Sequence, residues 1–434
     1  MILRRGASSS FRAGTRGPRA IGLTTLGLVA LSCAATVDRT ARDAAPSTDA
    51  PVTAADVPTG PCVWRAGAAV VLAATTSATP HRALLDLRAA EGGAWALTGD
   101  DAGGGRGLDL ALERLDADGR RRATVRLPPG FSPAAASLVV DEALGRRAVL
   151  AESRTPTSEG CALVLLDATG APSAPRTISF PNGGFSLAGC RDLLANAAGY
   201  SFLAEQVRAL WGLEMVQLDA EGRTLSRPEE ALYEGAPEAS FGRFGLPDRS
   251  FALVHVGAIR EPAAGAGLVL RRFDPSGTSA TTAHLVAENP RAIRERVVLA
   301  AGDGLLALWE EAAASSAPSQ LRARPLAPDG TPRGAARTVV SSDFYQGGLA
   351  ATFARGDVLA LGVMGSGVLR PTAMPLAPDG AARGDAVPLP MPPGATRVER
   401  ALLVATPQGA LAVFATDPGQ SPNQLVAVPL TCAP

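Results

Sequence analysis

Apolar residues in this chain fall into short runs separated by turns, and the runs recur in a fixed order. A run such as 122–127, with Ala123, Val125 and Leu127 alternating onto one face, reads as a half-buried strand. A loop with Pro, Gly and often Phe follows. A more apolar run comes next, at 137–140, 296–300 and 401–405. A Gly or Asp turn leads into another, at 148–151, 250–256, 305–309 and 358–363. A variable loop then precedes a further strand. The order predicts four strands per repeat.

The punctuation is one short turn, present six times. It reads Leu115-Asp116-Ala117-Asp118-Gly119, Leu166-Asp167-Ala168-Thr169-Gly170, Leu218-Asp219-Ala220-Glu221-Gly222, Phe273-Asp274-Pro275-Ser276-Gly277, Leu326-Ala327-Pro328-Asp329-Gly330 and Leu376-Ala377-Pro378-Asp379-Gly380. The glycines are 51, 52, 55, 53 and 50 residues apart. A period near 50 marks a repeat architecture, and four strands per period is the unit of a β-propeller blade.

Counting blades needs the C-terminus. Ala323-Arg324-Pro325-Leu326 and Ala373-Met374-Pro375-Leu376 are matched by Ala427-Val428-Pro429-Leu430. That makes a seventh copy of the strand before the turn. Its missing partner is predicted at 63–72. The expected fold is all-β: a seven-bladed β-propeller of four-stranded blades, closed by pairing an N-terminal outer strand with three C-terminal strands. Closure leaves no open end to the array. The repeat resembles bacterial seven-bladed propeller repeats with an aspartate-glycine turn between the third and outermost strands. The resemblance spans about residues 62–432 and is architectural. The chain has no Gly-His/Trp-Asp pairs, no regular kelch double glycine and no sialidase aspartate box.

The N-terminus changes the picture of location. Arg4, Arg5, Arg12, Arg16 and Arg19 precede an 11-residue apolar run at 21–31, the length of a signal-peptide core and too short to span a bilayer. It ends Ala30-Leu31-Ser32-Cys33, which resembles a bacterial lipobox and implies acylation of Cys33. Ala30 and Leu31 stand in the reverse of the usual aliphatic-then-small order, which leaves ordinary signal-peptide cleavage as the alternative. Residues 34–60 are rich in Ala, Thr, Asp, Pro and Ser without apolar periodicity. The expected organisation is a signal peptide at 1–32, lipidated Cys33 with a disordered tether over 33–60, and a propeller over 61–434. The expected location is the cell envelope, lipid-anchored at the outer membrane, with a periplasmic or secreted form as the alternative.

Four cysteines remain. Cys432 stands where Pro328 and Pro378 stand in earlier turns, and Cys62 opens the N-terminal strand. A Cys62–Cys432 disulfide would replace the missing turn and lock the ring. Chain entropy puts its upper contribution at about 5–6 kcal/mol for so long a loop. Cys161 and Cys190 are placed in loops of neighbouring blades that emerge on one face, and a second bridge is expected there.

Composition removes several chemistries. The 434 residues carry 41 basic and 41 acidic side chains, so nothing electrostatic favours nucleic acid. Every basic residue is arginine, which excludes a Schiff-base or phosphate-loop lysine. The three histidines His81, His255 and His284 have no metal-ligand spacing and read as structural. The Asp116–Gly119 turn resembles the start of a calcium loop but lacks the later acidic ligands. Gly103-Gly104-Gly105-Arg106-Gly107 reads as a loop, not a phosphate cradle. No cofactor or metal is expected.

Candidate binding residues sit in the predicted loops between second and third strands, which vary most. They are Asp100, Asp101, Arg154, Trp211, Arg260, Glu261, Glu310, Glu311 and Asp417. Phe131, Phe185, Phe241 and Phe344 recur in loops entering the blades, either as an aromatic ring at the upper mouth or as wedges between blades. Variable loops on a rigid scaffold carry function. The expected function is a monomeric, non-catalytic binding or scaffolding module whose upper face meets a protein or glycan. The alternative is a propeller hydrolase or lyase with a metal or carboxylate site at the central channel.

Overall fold

The computed structural model describes residues 62–74, 82–101, 108–129, 131–155, 158–178, 186–207, 211–226, 233–235, 240–258, 266–277, 281–288, 293–312, 319–365, 368–416 and 423–433. They form an all-β ring of seven blades, each of four antiparallel strands. Blade 1 runs Arg82–Ala90, Gly93–Asp101, Leu108–Asp116, Arg121–Arg126, from the innermost strand outward. Blades 2 to 6 repeat that order. Blade 7 takes Val398–Thr406, Gly409–Thr416 and Gln424–Ala433 from the C-terminus. Its outer strand comes from the N-terminus in two pieces, Val63–Ala66 and Val70–Ala74, both antiparallel to Gln424–Ala433. Between them Gly67 N–H donates to Pro429 O at 2.8 Å, across a one-residue bulge.

The apolar pattern follows from where each strand sits. Second strands lie between two neighbouring blades and are covered on both faces, so they read as continuous apolar runs. Gly409–Thr416 is buried at every position and Asp357–Met364 at all but the last. Outer strands face solvent. Arg121–Arg126 is almost wholly exposed, and of the predicted apolar face only Leu127 is buried. Apolar clusters bridge the blades in sequence: Trp95 and Leu112 with Val149 and Val164, Leu163 with Phe202, and Leu253 with Leu213. Leu411 and Val413 of blade 7 pack with Leu84 and Leu87 of blade 1, which closes the ring.

Two details differ from the pattern read in the sequence. Arg337–Ala354 is one long strand, serving as the outer strand of blade 5 and then the inner strand of blade 6. The segment around Phe344, predicted as a loop, is therefore part of that strand. Likewise Phe131 opens Phe131–Asp141 and Phe241 lies within Ser240–Gly245. Ladder hydrogen bonds are made by backbone, so a strand extends past its apolar stretch into Gly, Phe and polar residues.

Both disulfides are formed. Cys62–Cys432 joins the N-terminal outer strand to the third strand of blade 7, where the turn is missing. Cys161–Cys190 joins blade 2 to blade 3. The placement of this second pair differs from expectation. Cys161 lies inside the third strand Ser158–Leu165 and Cys190 inside the inner strand Ser186–Ala195, both fully buried. The bridge is a rivet between packed sheets, not a link between loops.

The six turns are alike. In each, the glycine N–H donates to the carbonyl three residues back at 2.8–3.0 Å. Asp116 Oδ1 accepts from the N–H of Asp118 and of Arg120, at 3.0 and 2.8 Å. Asp167 does the same with Thr169 and Ala171, and the Thr169 hydroxyl, donating to it at 2.7 Å, leads these N–H groups in holding its carboxyl below the usual range. In the Ala-Pro-Asp-Gly copies the work moves to the fourth residue, as Asp329 Oδ1 accepts Thr331 N–H at 2.9 Å. These are aspartate turns, in which one carboxylate oxygen is held by the turn itself.

Candidate functional site

Each blade has turns at its lower end and the second-to-third connections at its upper end. The upper end is where variable chemistry was expected, and the structure moves several candidates from loop to strand. Asp100 and Asp101 end the second strand of blade 1, opposite Asp109 and Leu108. Asp100 is half-buried. Trp211 opens the third strand of blade 3, opposite Val207 and Gly235. Arg154 lies opposite Glu159 in the backbone ladder of blade 2. Glu310 and Glu311 lie in the second strand of blade 5. Glu310 is fully buried and accepts from Ser319 Oγ. Glu311 accepts from Trp309 Nε1 at 3.3 Å and faces Arg322 at 3.7 Å. The two are therefore committed inside the blade, because the ladder continues through them. Arg260, Glu261, Asp417, Phe185, His81 and Cys33 lie outside the described residues.

Below the upper rim, a polar belt stitches the inner strands together. Asp86 of blade 1 accepts Leu87 N–H at 2.8 Å and reaches across to Leu138 N–H of blade 2 at 2.7 Å. Arg88 completes the link, donating to Asp86 at 2.9 Å and to Leu138 O at 2.6 Å. Burial pushes the Asp86 carboxyl above the usual aspartate range, against the opposing pull of Arg88 and of those two N–H groups. Ser137 Oγ accepts Asp192 N–H of blade 3 at 2.9 Å. Asp192, held at a left-handed φ of 56°, in turn accepts Arg243 N–H of blade 4 at 3.2 Å. Arg243 donates to Ser201 Oγ at 2.6 Å and lies 4.0 Å over the Phe251 ring. Burial lowers it to about 9, with Asp192 resisting, so it stays charged at neutral pH.

In blade 4 the belt carries His255, on the same strand face as Phe251 and Leu253. It is buried in Phe251–Ala258, with the Phe241 ring 6.1 Å away. Burial, with the positive fields of Arg296 and Arg271, lowers it to about 4, so the ring is neutral at pH 7. Phe241 is buried against it and serves as a wedge between strands, not as part of an aromatic mouth. A third knot lies at blades 2 and 3. Glu152 and Glu205 converge on Gly189, where a side chain would come within 3.2 and 3.5 Å of their oxygens. Glu205 pairs with Arg191.

These groups are buried, and Asp86, Arg88, Asp192 and Arg243 reach their partners across a blade junction or within the blade. Such an arrangement fixes the blades in register. Among the described residues, no group of three or more His, Cys, Asp or Glu is disposed to hold a metal ion. The sequence reading missed this belt. Its signal was available: Asp86 and Arg88, two residues apart in a strand whose other positions after Arg82 are apolar.

No protein-family profile matches this sequence, and no curated protein does. Similarity is found among solved structures. An ulvan lyase of polysaccharide lyase family PL25, bound to -[GlcA(1-4)Rha3S]-, is 9% identical with a TM-score of 0.50, over 78% of this chain and 90% of its own. The polysaccharide lyase Uly1 is 12% identical with a TM-score of 0.48, over 88% and 97%. The β-propeller domain of the Trilobed protease from Pyrococcus furiosus is 10% identical with a TM-score of 0.47, over 81% and 94%. At these identities the likeness concerns the fold alone. The class is thus a seven-bladed β-propeller.

Proposed function

We propose that this chain is a non-catalytic binding or scaffolding module, anchored in the cell envelope through Cys33, and that its upper face recognises a protein or a glycan. The observation that carries the reading is the inequality of the two faces. The lower turns are near copies. The connections between second and third strands differ in length, from two residues at 156–157 to seven at 259–265. They also differ in charge and aromatic content. A site specific for one partner needs such asymmetry.

Trp211 and Arg260 are the proposed anchors, with Glu261, Asp100 and Asp101 as further proposed contact residues. Large aromatics and arginines dominate binding energetics where they are desolvated. The test is capture from envelope extract on the immobilised propeller. Trp211→Ala with Arg260→Ala should weaken retention by about tenfold or more while the melting temperature holds. A double variant that binds like the unmodified protein would place the site elsewhere. Turnover of a substrate, lost on metal removal, would overturn the reading in favour of a hydrolase or lyase. Mass spectrometry of the mature N-terminus tests the anchor separately, and an unmodified terminus beyond Cys33 would refute it.

A further inference from the structure

At two neighbouring junctions of the lower rim one geometry recurs, and the junction of blades 2 and 3 departs from it. The first residue of an outer strand faces the turn of the next blade. At blades 5 and 6, Arg337 opens the outer strand and its Nη1 lies 2.9 Å from Asp379 Oδ2, beside the turn glycine Gly380. At blades 4 and 5, His284 opens the outer strand and its Nε2 lies 3.5 Å from Thr331 Oγ1, beside Gly330. Each junction is closed by a complementary pair.

At blades 2 and 3 the same two places hold Arg176 and Arg223. Arg176 opens Arg176–Ile178, and Arg223 follows the turn glycine Gly222. Both are exposed, and both line a groove of about 470 Å³ together with Thr177, Ile178, Gly222 and Thr224. Glu221 stands where Asp379 stands, but among the described residues the ion pair of this turn joins Arg223 to Asp219 and none joins Glu221 to Arg176. Asp219 Oδ1 accepts the backbone N–H of Arg223 at 2.7 Å, and its Oδ2 is 4.0 Å from the guanidinium. The turn itself is pressed tight, since a side chain at Gly222 would come within 2.7 Å of Leu163 and 3.6 Å of Arg176 Cδ. The groove therefore has a firm floor, two hydroxyl side chains and two guanidinium groups from separate blades.

We propose that this groove binds an oxyanion, a carboxylate, sulfate or phosphate group, between Arg176 and Arg223. Guanidinium forks match such groups with paired hydrogen bonds, and two like charges facing one groove are relieved by an anion between them. The volume suits a small ligand. The threonine hydroxyls supply further donors and acceptors beside the charged group. The site lies at the lower outer wall, on the opposite rim from the proposed recognition face.

Calorimetric titration of the full chain at low salt tests it, with a glucuronate trisaccharide, a neutral glucose trisaccharide, inorganic sulfate and inorganic phosphate as probes. The acidic trisaccharide should bind and the neutral one should not. Arg176→Gln and Arg223→Gln should each weaken binding about tenfold, and the double variant should abolish it. Arg337→Gln, at the junction already closed by its own ion pair, should leave it unchanged. If only an inorganic ion binds, and the double variant abolishes that, the oxyanion site stands with a free ion as its ligand. If Arg223→Gln disturbs the turn and lowers the melting temperature, Arg176→Gln carries the test alone. No binding of any charged probe, or equal binding by the double variant, overturns the proposal.

Discussion

Six blade junctions are sealed by a turn glycine, and the seventh by a tryptophan on the N-terminal strand that a disulfide ties into blade 7. Gly119, Gly170, Gly222, Gly277, Gly330 and Gly380 each press on a strand of the preceding blade, against Ala427, Trp95, Leu163, Met215, Leu270 and Ala323 respectively. Blade 7 has no such turn. There Trp64 of the N-terminal strand packs on Leu359, Leu361 and Ala373 of blade 6. Its Nε1 donates to the buried Asp357 Oδ2 at 2.9 Å, and Arg383 donates to the other oxygen of that carboxylate. A continuous chain can seal a junction with its smallest residue, since the turn itself supplies the contact. Where the blade is built from two chain ends, a large side chain seals the junction and a covalent bond holds its strand in the blade.

The closing junction should therefore fail most severely when cut back. Trp64→Ala removes a buried indole and leaves Asp357 without one donor, and should cost about 4 kcal/mol. Cys62→Ser removes the tie over a 370-residue separation and should cost roughly 2–5 kcal/mol. Equilibrium urea unfolding of the two single variants and the double measures both. Because each acts on the same strand, the double should lose less than the sum. Strict additivity would mean that the tryptophan and the disulfide hold different parts of the ring.

Blade 4 should answer to acid, where the closing blade answers to reductant. His255 titrates at about 4 in the fold against 6.5 when free. Between those values the unfolded chain binds the extra proton, so stability falls as pH drops from 6.5 towards 4 and is unaffected above that window. The difference amounts to about 3 kcal/mol at about 1.4 kcal/mol per pKa unit. His255→Gln should flatten this part of the stability curve. A curve as steep in the variant as in the parent would assign the acid response to other groups.

What was legible in the sequence was whatever depends on period. The blade count, the shared seventh blade and the Cys62 pairing all follow from matching one repeat to the next. Strand ends were less legible, since Glu310, Glu311 and Trp211 carry polar or bulky side chains that backbone pairing ignores. The belt was not read, because Ser137, Asp192 and Arg243 belong to different repeats and meet only when the ring closes. The glycine contact left a trace that passed for turn chemistry. The residue before each glycine varies among Asp, Thr, Glu and Ser, yet the glycine never does. A left-handed turn alone accepts Asn or Asp. Invariance across six copies signals a second constraint, which is the neighbouring blade.

That second constraint can be separated from the first at two glycines with similar backbone. Gly170 and Gly145 both have left-handed φ, 89° and 63°. A side chain at Gly145 would meet nothing within 4 Å, whereas one at Gly170 would overlap the Trp95 ring. Gly145→Ala should cost about 1 kcal/mol, the backbone term alone. Gly170→Ala should cost about 3 kcal/mol, since overpacking against a wedged indole adds to that term. The pair of melting curves reads the difference directly. If the two variants lose the same stability, the glycine serves the turn only, and the six internal junctions are sealed by the apolar clusters without it. If Trp95→Leu restores much of what Gly170→Ala loses, the contact is the cause, because the smaller side chain makes room for the added methyl group.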